Sequence, residues 1–312
     1  MSRRIRVAAA QLGGVTNAMG IDNKTSRKMV LDRMVALLND AADRGCDLVV
    51  FPEFALIPVF VRFHVARLEQ FDHFYEQSMP SENTQRLFDT ARERGIGFSL
   101  GYAELVEEEG RTRRFNTMIL VDQTGDITLK YRKVHLPGSA APVSDDTFQN
   151  LEKYYFEVGN LGFPVAEFNS CKVGICICND RRWPETYRML RLKGAELILL
   201  GYSSPVHNPR EDQSPELRNF HNLLCMQSGA YQNSCFVVGA AKAGIEDGVE
   251  LIAGSSIINP YGEILAIAKS SDDELIVADC NMAECEPGRK EEFNFNTTRR
   301  PELYGALVEP HC

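Results

Sequence analysis

The chain has 312 residues, of which 44% are hydrophobic and 25% are charged, and its formal net charge at pH 7 is −9. This composition is typical of a soluble globular protein that is large enough to fold around its own core. The negative net charge argues against nucleic-acid binding, which needs a basic surface for phosphate contacts. The sequence has no run of 18 or more apolar residues and no signal peptide, so we expect no membrane span.

The strand-like segments include continuous runs of Val, Ile and Leu, which are typical of strands buried on both faces. Other segments carry apolar residues at helical spacing, and residues 107–110 and 123–126 have the composition of tight turns. This alternation predicts an α/β fold in which a mixed sheet is layered with helices, in a single domain over residues 1–312. The predicted strands are residues 5–11, 47–51, 96–104, 117–121, 127–131, 173–177, 197–200, 236–240, 255–259, 264–268 and 275–279, and the predicted helices are residues 25–44, 82–94, 184–193 and 216–228.

The first candidate site residue, Glu53, lies in the segment FPEF directly after the second predicted strand. Ligands of open α/β sheets bind at the carboxyl ends of strands. Most glutamates are solvated, but the sequence neighbours of Glu53 are Pro52 and aromatic residues. Such surroundings disfavour the charged carboxylate, and we therefore expect a pKa suited to a general base near neutral pH.

The second candidate, Lys133, lies in the segment KYRKVHLPG, where the chain leaves the fifth predicted strand. A surface cluster with Lys130 and Arg132 would explain this lysine equally well. The functional interpretation is a fixed ammonium group that stabilises an oxyanion.

The third candidate, Cys178, ends an apolar run and precedes the pair Arg181 and Arg182. At a strand end just before a helix, backbone N–H groups and the helix dipole stabilise a thiolate. The two arginines offer a fork for a carboxylate. Cys176 lies two residues earlier and would point to the same face of a strand, so we expect at most one of the two cysteines to be catalytic. A buried structural cysteine is the alternative.

The sequence holds nine cysteines and six histidines, without a CxxC pair or the spacing of a zinc site. An odd number of cysteines without a secretion signal predicts reduced thiols in the cytoplasm.

A cysteine nucleophile needs an adjacent base or a lowered pKa, a group that holds the oxyanion, and a proton donor for the leaving group. Glu53, Lys133 and Cys178 supply these functions without a histidine. A papain-like Cys–His pair is less favoured, because neither His135 nor His207 has the accompanying signature.

These three residues, in this order and context, resemble the nitrilase (carbon–nitrogen hydrolase) superfamily over nearly the whole chain. Within it the chain looks most similar to the N-carbamoyl-D-amino acid amidohydrolases, the D-carbamoylases. The segments that carry the resemblance are residues 95–105 (GIGFSLGYAEL), 113–117 (RRFNT), 131–138 (YRKVHLPG), 150–165 (NLEKYYFEVGNLGFPV), 177–185 (ICNDRRWPE), 228–233 (SGAYQN) and 293–295 (FNF).

The resemblance implies an αββα sandwich that assembles into a homodimer or homotetramer, with residues 281–312 in subunit contacts. It implies no metal or other cofactor, and a small N-carbamoyl-D-amino acid as the substrate, which is hydrolysed to the D-amino acid, CO₂ and ammonia. It implies that Glu53 is the general base, Lys133 the oxyanion stabiliser and Cys178 the nucleophile, and that Glu152 positions the substrate or the lysine. The residues implied at the substrate are His135, Asn150, Asn179, Arg181, Arg182, Ser203 and Ser204, with both arginines near its carboxylate.

The chain departs from the carbamoylases at two places. They carry a histidine where Asn150 stands here, and an Asn-Thr pair where this chain has Ser203 and Ser204. In the carbamoylases these positions line the carboxylate end of the pocket, so the resemblance implies the same chemistry but does not carry over a side-chain preference.

Two kinds of alternative remain. One is another enzyme of the superfamily: a nitrilase, or an amidase for carbamoylputrescine, β-ureido acids or aliphatic amides. The paired arginines favour an anionic substrate over a polyamine. The other is a non-catalytic binding protein, against which the presence of all three catalytic residue types argues.

Overall fold

The computed structural model describes residues 3–15, 22–142, 149–207 and 213–309. Its strands follow the order β5-β4-β3-β2-β1-β9-β8-β7-β6, while β13 pairs with β1, β10 and β11 pair with β9, and β12 pairs with β11. The strands are β1 (Arg4–Gly13), β2 (Leu48–Val50), β3 (Gly97–Glu108), β4 (Arg111–Val121), β5 (Ile127–Arg132), β6 (Val165–Phe168), β7 (Cys171–Ile177), β8 (Leu197–Tyr202), β9 (Phe236–Glu246), β10 (Val249–Ile252), β11 (Ser256–Ile258), β12 (Ile264–Ile267) and β13 (Glu274–Asn281).

The strands form two sheet layers. The layers are connected where β1 pairs with β9, through Leu12–Lys242 and Gly13–Ala243. One hydrophobic core lies between the layers: Val7, Val50 and Met118 of the first layer belong to the same cluster as Ile175 and Leu199 of the second. Because successive side chains of a strand point to opposite faces, the other face of each layer needs its own apolar cover.

Helices provide that cover on both outer faces. The helices are α1 (Asn23–Asp43), α2 (Gln85–Arg94), α3 (Glu152–Tyr155), α4 (Pro184–Leu192), α5 (Pro215–Asn233), α6 (Cys285–Lys290) and α7 (Phe295–Thr298). Met34 of α1 and Phe88 of α2 pack on the first layer, and Leu190 of α4 and Met226 of α5 pack on the second. The predicted αββα layering is confirmed.

Capping interactions mark the ends of three of the helices. The side chain of Asp22 accepts from the Thr25 N–H at the start of α1, and Ser214 does the same for Leu217 at the start of α5. Gly95 ends α2 in the left-handed conformation, with φ of 63°.

Each predicted strand, helix and tight turn is present, and most limits differ by a few residues. The larger differences are that β4 begins earlier, at Arg111, and that β9 continues beyond residue 240 to Glu246. The elements that were missed are β6, β10, α3, α6 and α7, and all are short. A four-residue helix such as α3 contains about one turn, too few residues for a helical period to show.

The cysteines that the structure describes are free thiols, and Cys312 lies outside the described residues. Over the described ranges, no helix combines the length and the apolar character that crossing a membrane requires. Leu303, Leu307 and Val308 near the C-terminus are exposed. The involvement of residues 281–312 in subunit contacts stays a prediction.

Candidate active site

A buried row of three ionisable side chains forms the base of the site. Lys133, which follows β5 directly, places its Nζ 2.8 Å from Glu53 Oε1 and 2.7 Å from Glu152 Oε2. Glu53 follows β2, and Glu152 is the first residue of α3. The exposed fractions are 0% for Lys133, 1% for Glu53 and 4% for Glu152. Charges so buried are tolerated only when they are paired, so each of the three depends on the others.

Glu53 has further partners that keep it ionised. Asn116 Nδ2 donates to Oε1 at 2.8 Å, and the backbone N–H and hydroxyl of Ser203 donate to Oε2 at 3.1 and 2.6 Å. Burial favours the neutral acid, but Lys133 and these donors outweigh burial and lower the pKa of Glu53 below its ordinary value. The expected shift toward neutral pH is therefore wrong, because the apolar sequence neighbours of Glu53 do not surround its carboxylate.

Glu152 shifts in the opposite direction. Burial raises the pKa of Glu152 to about 7, with Lys133 opposing the shift and the negative Glu53 adding to it. The pKa of Lys133 is raised, because its two carboxylate neighbours outweigh the effect of burial. One ammonium cannot neutralise two buried carboxylates, so the cluster holds a proton as the pH falls below about 7, and Glu152 is the carboxyl group that binds it.

Two glycines allow the backbone at Glu53 to lie between the two layers. A Cβ on Gly101 of β3 would be 2.7 Å from Glu53 Cα, and a Cβ on Gly201 of β8 would be 2.6 Å from Glu53 N. Both contacts involve backbone atoms that cannot move aside, so any larger residue would displace Glu53. The sequence analysis gave these glycines no role, although glycine within a strand pattern is a recognised signal of close backbone approach.

Cys178 begins a short 3-10 turn, Cys178–Arg182, that links β7 to α4. Its φ is 45°, in the left-handed region, which costs a non-glycine residue about 1–3 kcal/mol. Its side chain turns out of the strand pattern, is 8% exposed, and places Sγ 3.5 Å from Ser204 Oγ. Cys176 remains within β7 and is fully buried, which raises its pKa well above the ordinary value. The two cysteines therefore do not share one face.

Arg181 stabilises this turn through hydrogen bonds. It is buried, and it donates to the carbonyl oxygen of Cys178 at 2.6 Å, to Ser204 Oγ at 3.0 Å and to Asn222 Oδ1 at 2.8 Å. Its guanidinium also lies over the ring of Tyr202. Each of its three nitrogens already donates a hydrogen bond within the protein, so the structure does not present Arg181 and Arg182 as one fork.

His135 has a similar supporting position. Asp180 Oδ1 accepts from the His135 backbone N–H at 3.0 Å and lies 2.8 Å from its Nδ1, while Oδ2 accepts from the Tyr131 hydroxyl and the Ile177 N–H, each at 2.9 Å. The His135 ring stacks on Trp183. Asp180 thus connects the loop after Lys133 to the turn that carries Cys178.

A cavity of about 410 Å³ opens above the charged row. The cavity is not lined by Lys133, His135 or Arg181. These residues contact the lining residues or the segments that carry them. A thiol and an ionised carboxylate that line one cavity, with a buried ammonium bound to that carboxylate, suit acyl transfer from a C–N bond. The sequence-predicted residues that line the cavity are Glu53, Asn150, Glu152, Cys178, Asn179, Arg182, Ser203 and Ser204.

The sequence analysis missed several contributors. Asn116 lies in the quoted RRFNT segment, but no role was given to it. Asp180 and Asn222 act only through other residues, and Arg62 and Arg218 line the cavity from distant parts of the chain. No cluster of His, Cys, Asp and Glu suited to a metal ion is found in the part of the chain that the structure describes.

Comparisons with known proteins agree with this architecture. The family model for carbon-nitrogen hydrolases matches residues 6–290. A nitrilase from Pyrococcus abyssi is 32% identical over 270 residues, which cover 86% of this chain and 90% of the relative. An N-carbamoylputrescine amidase from Arabidopsis thaliana is 26% identical over 283 residues, which cover 87% of each protein. A citrullinase from Francisella tularensis is 33% identical over 215 residues, which cover 67% of this chain and 70% of the relative.

Among solved structures, the crystal structure of a carbon-nitrogen hydrolase from Helicobacter pylori G27 matches with a TM-score of 0.82 at 23% identity. The match covers 99% of this chain and 100% of the other. At this level of identity it shows a common fold.

The proton held by Glu152 predicts a pH dependence of stability. The pKa of Glu152 is higher in the folded state than in the unfolded chain. Between the folded-state and unfolded-state pKa the folded protein therefore binds more protons, and the free energy of unfolding falls as pH rises. Between pH 5.5 and 7.5 the wild type should lose on the order of 1 kcal/mol of unfolding free energy relative to Glu152→Gln. Urea unfolding of both proteins at the two pH values measures this difference. Parallel pH dependence in the two proteins would contradict the assignment.

Proposed function

This chain belongs to the carbon–nitrogen hydrolase family, and we propose that it removes the carbamoyl group from N-carbamoyl-D-amino acids. The observation that carries the proposal is the position of Arg182. It lines the same cavity as Cys178 and Glu53, and its guanidinium has no ion-pair partner within the described ranges. A cation at that place suits a substrate with a carboxylate beside its scissile bond.

The proposed reaction begins when Glu53 accepts the thiol proton and Cys178 Sγ attacks the carbonyl carbon of the ureido group. Lys133 stabilises the negative charge that develops on the carbonyl oxygen. The tetrahedral intermediate collapses, and the departing amine takes the proton from Glu53. Glu53 then activates a water molecule that hydrolyses the thioester-type intermediate and restores the thiol. The sum is N-carbamoyl amino acid plus water giving amino acid, CO₂ and ammonia.

The names of the relatives support a ureido substrate. N-Carbamoylputrescine and citrulline both contain a ureido group, and these are the compounds after which two of the relatives are named. The positive charge of Arg182 disfavours a polyamine such as carbamoylputrescine at this position. The preference for the D hand rests on the resemblance to the D-carbamoylases.

A substrate panel tests the proposal. Ammonia release should be highest with N-carbamoyl-D-amino acids and lower with the L forms, N-carbamoylputrescine, an aliphatic amide and a nitrile. Cys178→Ala should retain less than about one part in 10³ of the activity, because the nucleophile is lost. Cys176→Ala is the matched control and should retain most of it. Faster turnover of the polyamine or the nitrile, or an essential Cys176, would contradict the proposal.

The two arginines permit a sharper test of the substrate's anionic end. Arg182→Ala should lower kcat/KM for an N-carbamoyl-D-amino acid by about 10- to 100-fold, a moderate loss because the residue is partly exposed. It should change turnover of the uncharged carboxamide far less. Arg181→Ala should harm both substrates equally, since Arg181 supports the turn of Cys178. Steady-state kinetics on the acid and the amide measure both effects, and equal losses for Arg182→Ala would remove its proposed role.

A further inference from the structure

Arg62 and Arg182 line the cavity, and neither forms an ion pair with an acidic residue of the described ranges. Arg218 lines it as well, but it already interacts with other parts of the chain. The acidic residues of its described lining are Glu53 and Glu152, and both are bound to Lys133. The other described lining residues are uncharged. An N-carbamoyl amino acid with a neutral side chain would bring one negative charge, which leaves either Arg62 or Arg182 without a carboxylate.

Arg62 lies apart from the other two arginines. It ends a short 3-10 turn, Phe60–Arg62, whereas Arg182 and Arg218 lie on the Cys178 turn and on α5, which pack against each other. The cavity is therefore lined by cations from two separate parts of the fold. This arrangement fits a ligand that carries two anionic groups.

The guanidinium of Arg62 is incompletely satisfied. Its Nη2 is buried and has no hydrogen-bond acceptor among the described residues, and its Nη1 reaches only the Glu246 carbonyl oxygen, at 3.5 Å. The Glu246 carboxylate is engaged elsewhere, with Lys242 Nζ at 2.8 Å and the Val59 N–H at 2.7 Å. A buried donor without an acceptor is costly, and a ligand carboxylate would offset that cost.

We propose that the substrate is a dicarboxylate: an N-carbamoyl amino acid whose side chain ends in a carboxylate, of the aspartate or glutamate type. Its α-carboxylate lies at Arg182, and its side-chain carboxylate at Arg62. This inference rests on the proposed function and adds the identity of the side chain. The cavity volume of about 410 Å³ is within the range of small-molecule sites.

An apolar side chain is the competing occupant, because Val59, Val61, Pro137 and Pro205 also line the cavity. The test measures kcat/KM for the N-carbamoyl derivatives of aspartate, glutamate, asparagine, glutamine and leucine, in both hands. Asparagine and glutamine match the acids in shape and lack only the charge. The acids should exceed their matching amides by about 100-fold, since a buried guanidinium is left unpaired by the amide.

Arg62→Gln should reduce this acid-to-amide ratio to near one. Arg44→Gln is the matched control: Arg44 is exposed at the end of α1, away from the cavity, and its replacement should leave the ratio unchanged. A wild-type enzyme that hydrolyses the leucine or amide compounds as fast as the acids overturns the inference and leaves the proposed function intact. Failure to hydrolyse any N-carbamoyl amino acid overturns both. An acid preference that survives Arg62→Gln overturns the assignment to Arg62.

Discussion

The site depends on one electrostatic arrangement, a buried lysine held between two glutamates. Each charge would be too costly to bury alone, and the set is balanced only when one carboxylate carries a proton. The proton resides on Glu152, because Glu53 has the additional donors Asn116 and Ser203. The asymmetry of these contacts therefore decides which glutamate is ionised and available to act as a base at neutral pH.

Both layers of the sandwich contribute to that arrangement. Asn116 and Lys133 come from the first layer, while Ser203 and Cys178 follow strands of the second. The backbone at Glu53 fits between them because Gly101 and Gly201 have no side chains. Asp180 then connects the Cys178 turn to the loop after Lys133, and Arg181 connects the turn to α5. The strained conformation of Cys178 persists because several contacts outside the cavity hold it in place.

The sequence pattern was sufficient to predict a mixed sheet layered with helices and the residues that meet at the strand ends, since periodicity and strand-end positions are local properties. The αββα sandwich itself was predicted from the resemblance to the family. The sequence was not sufficient to predict the pKa values of the buried carboxyl groups. The pKa of Glu53 is set by Lys133, Ser203 and Asn116, which are distant in sequence, so its apolar neighbours gave the wrong direction. Adjacent residues can likewise point to different surroundings: Arg181 supports the turn while Arg182 lines the cavity. Arg62 has no local signal at all, because only the folded chain brings it to the cavity.

The central claim is that this charged row activates Cys178 for covalent attack on a ureido carbon. Peptide mass spectrometry of enzyme quenched with acid during turnover tests it most directly. The account predicts an added mass on the peptide that contains Cys178, equal to a carbamoyl group if the amino acid leaves first and to the carbonylated amino acid if ammonia leaves first. No adduct should form on Cys176 within the same sequence region. An adduct confined to another residue, or sustained turnover by Cys178→Ala, would contradict the account.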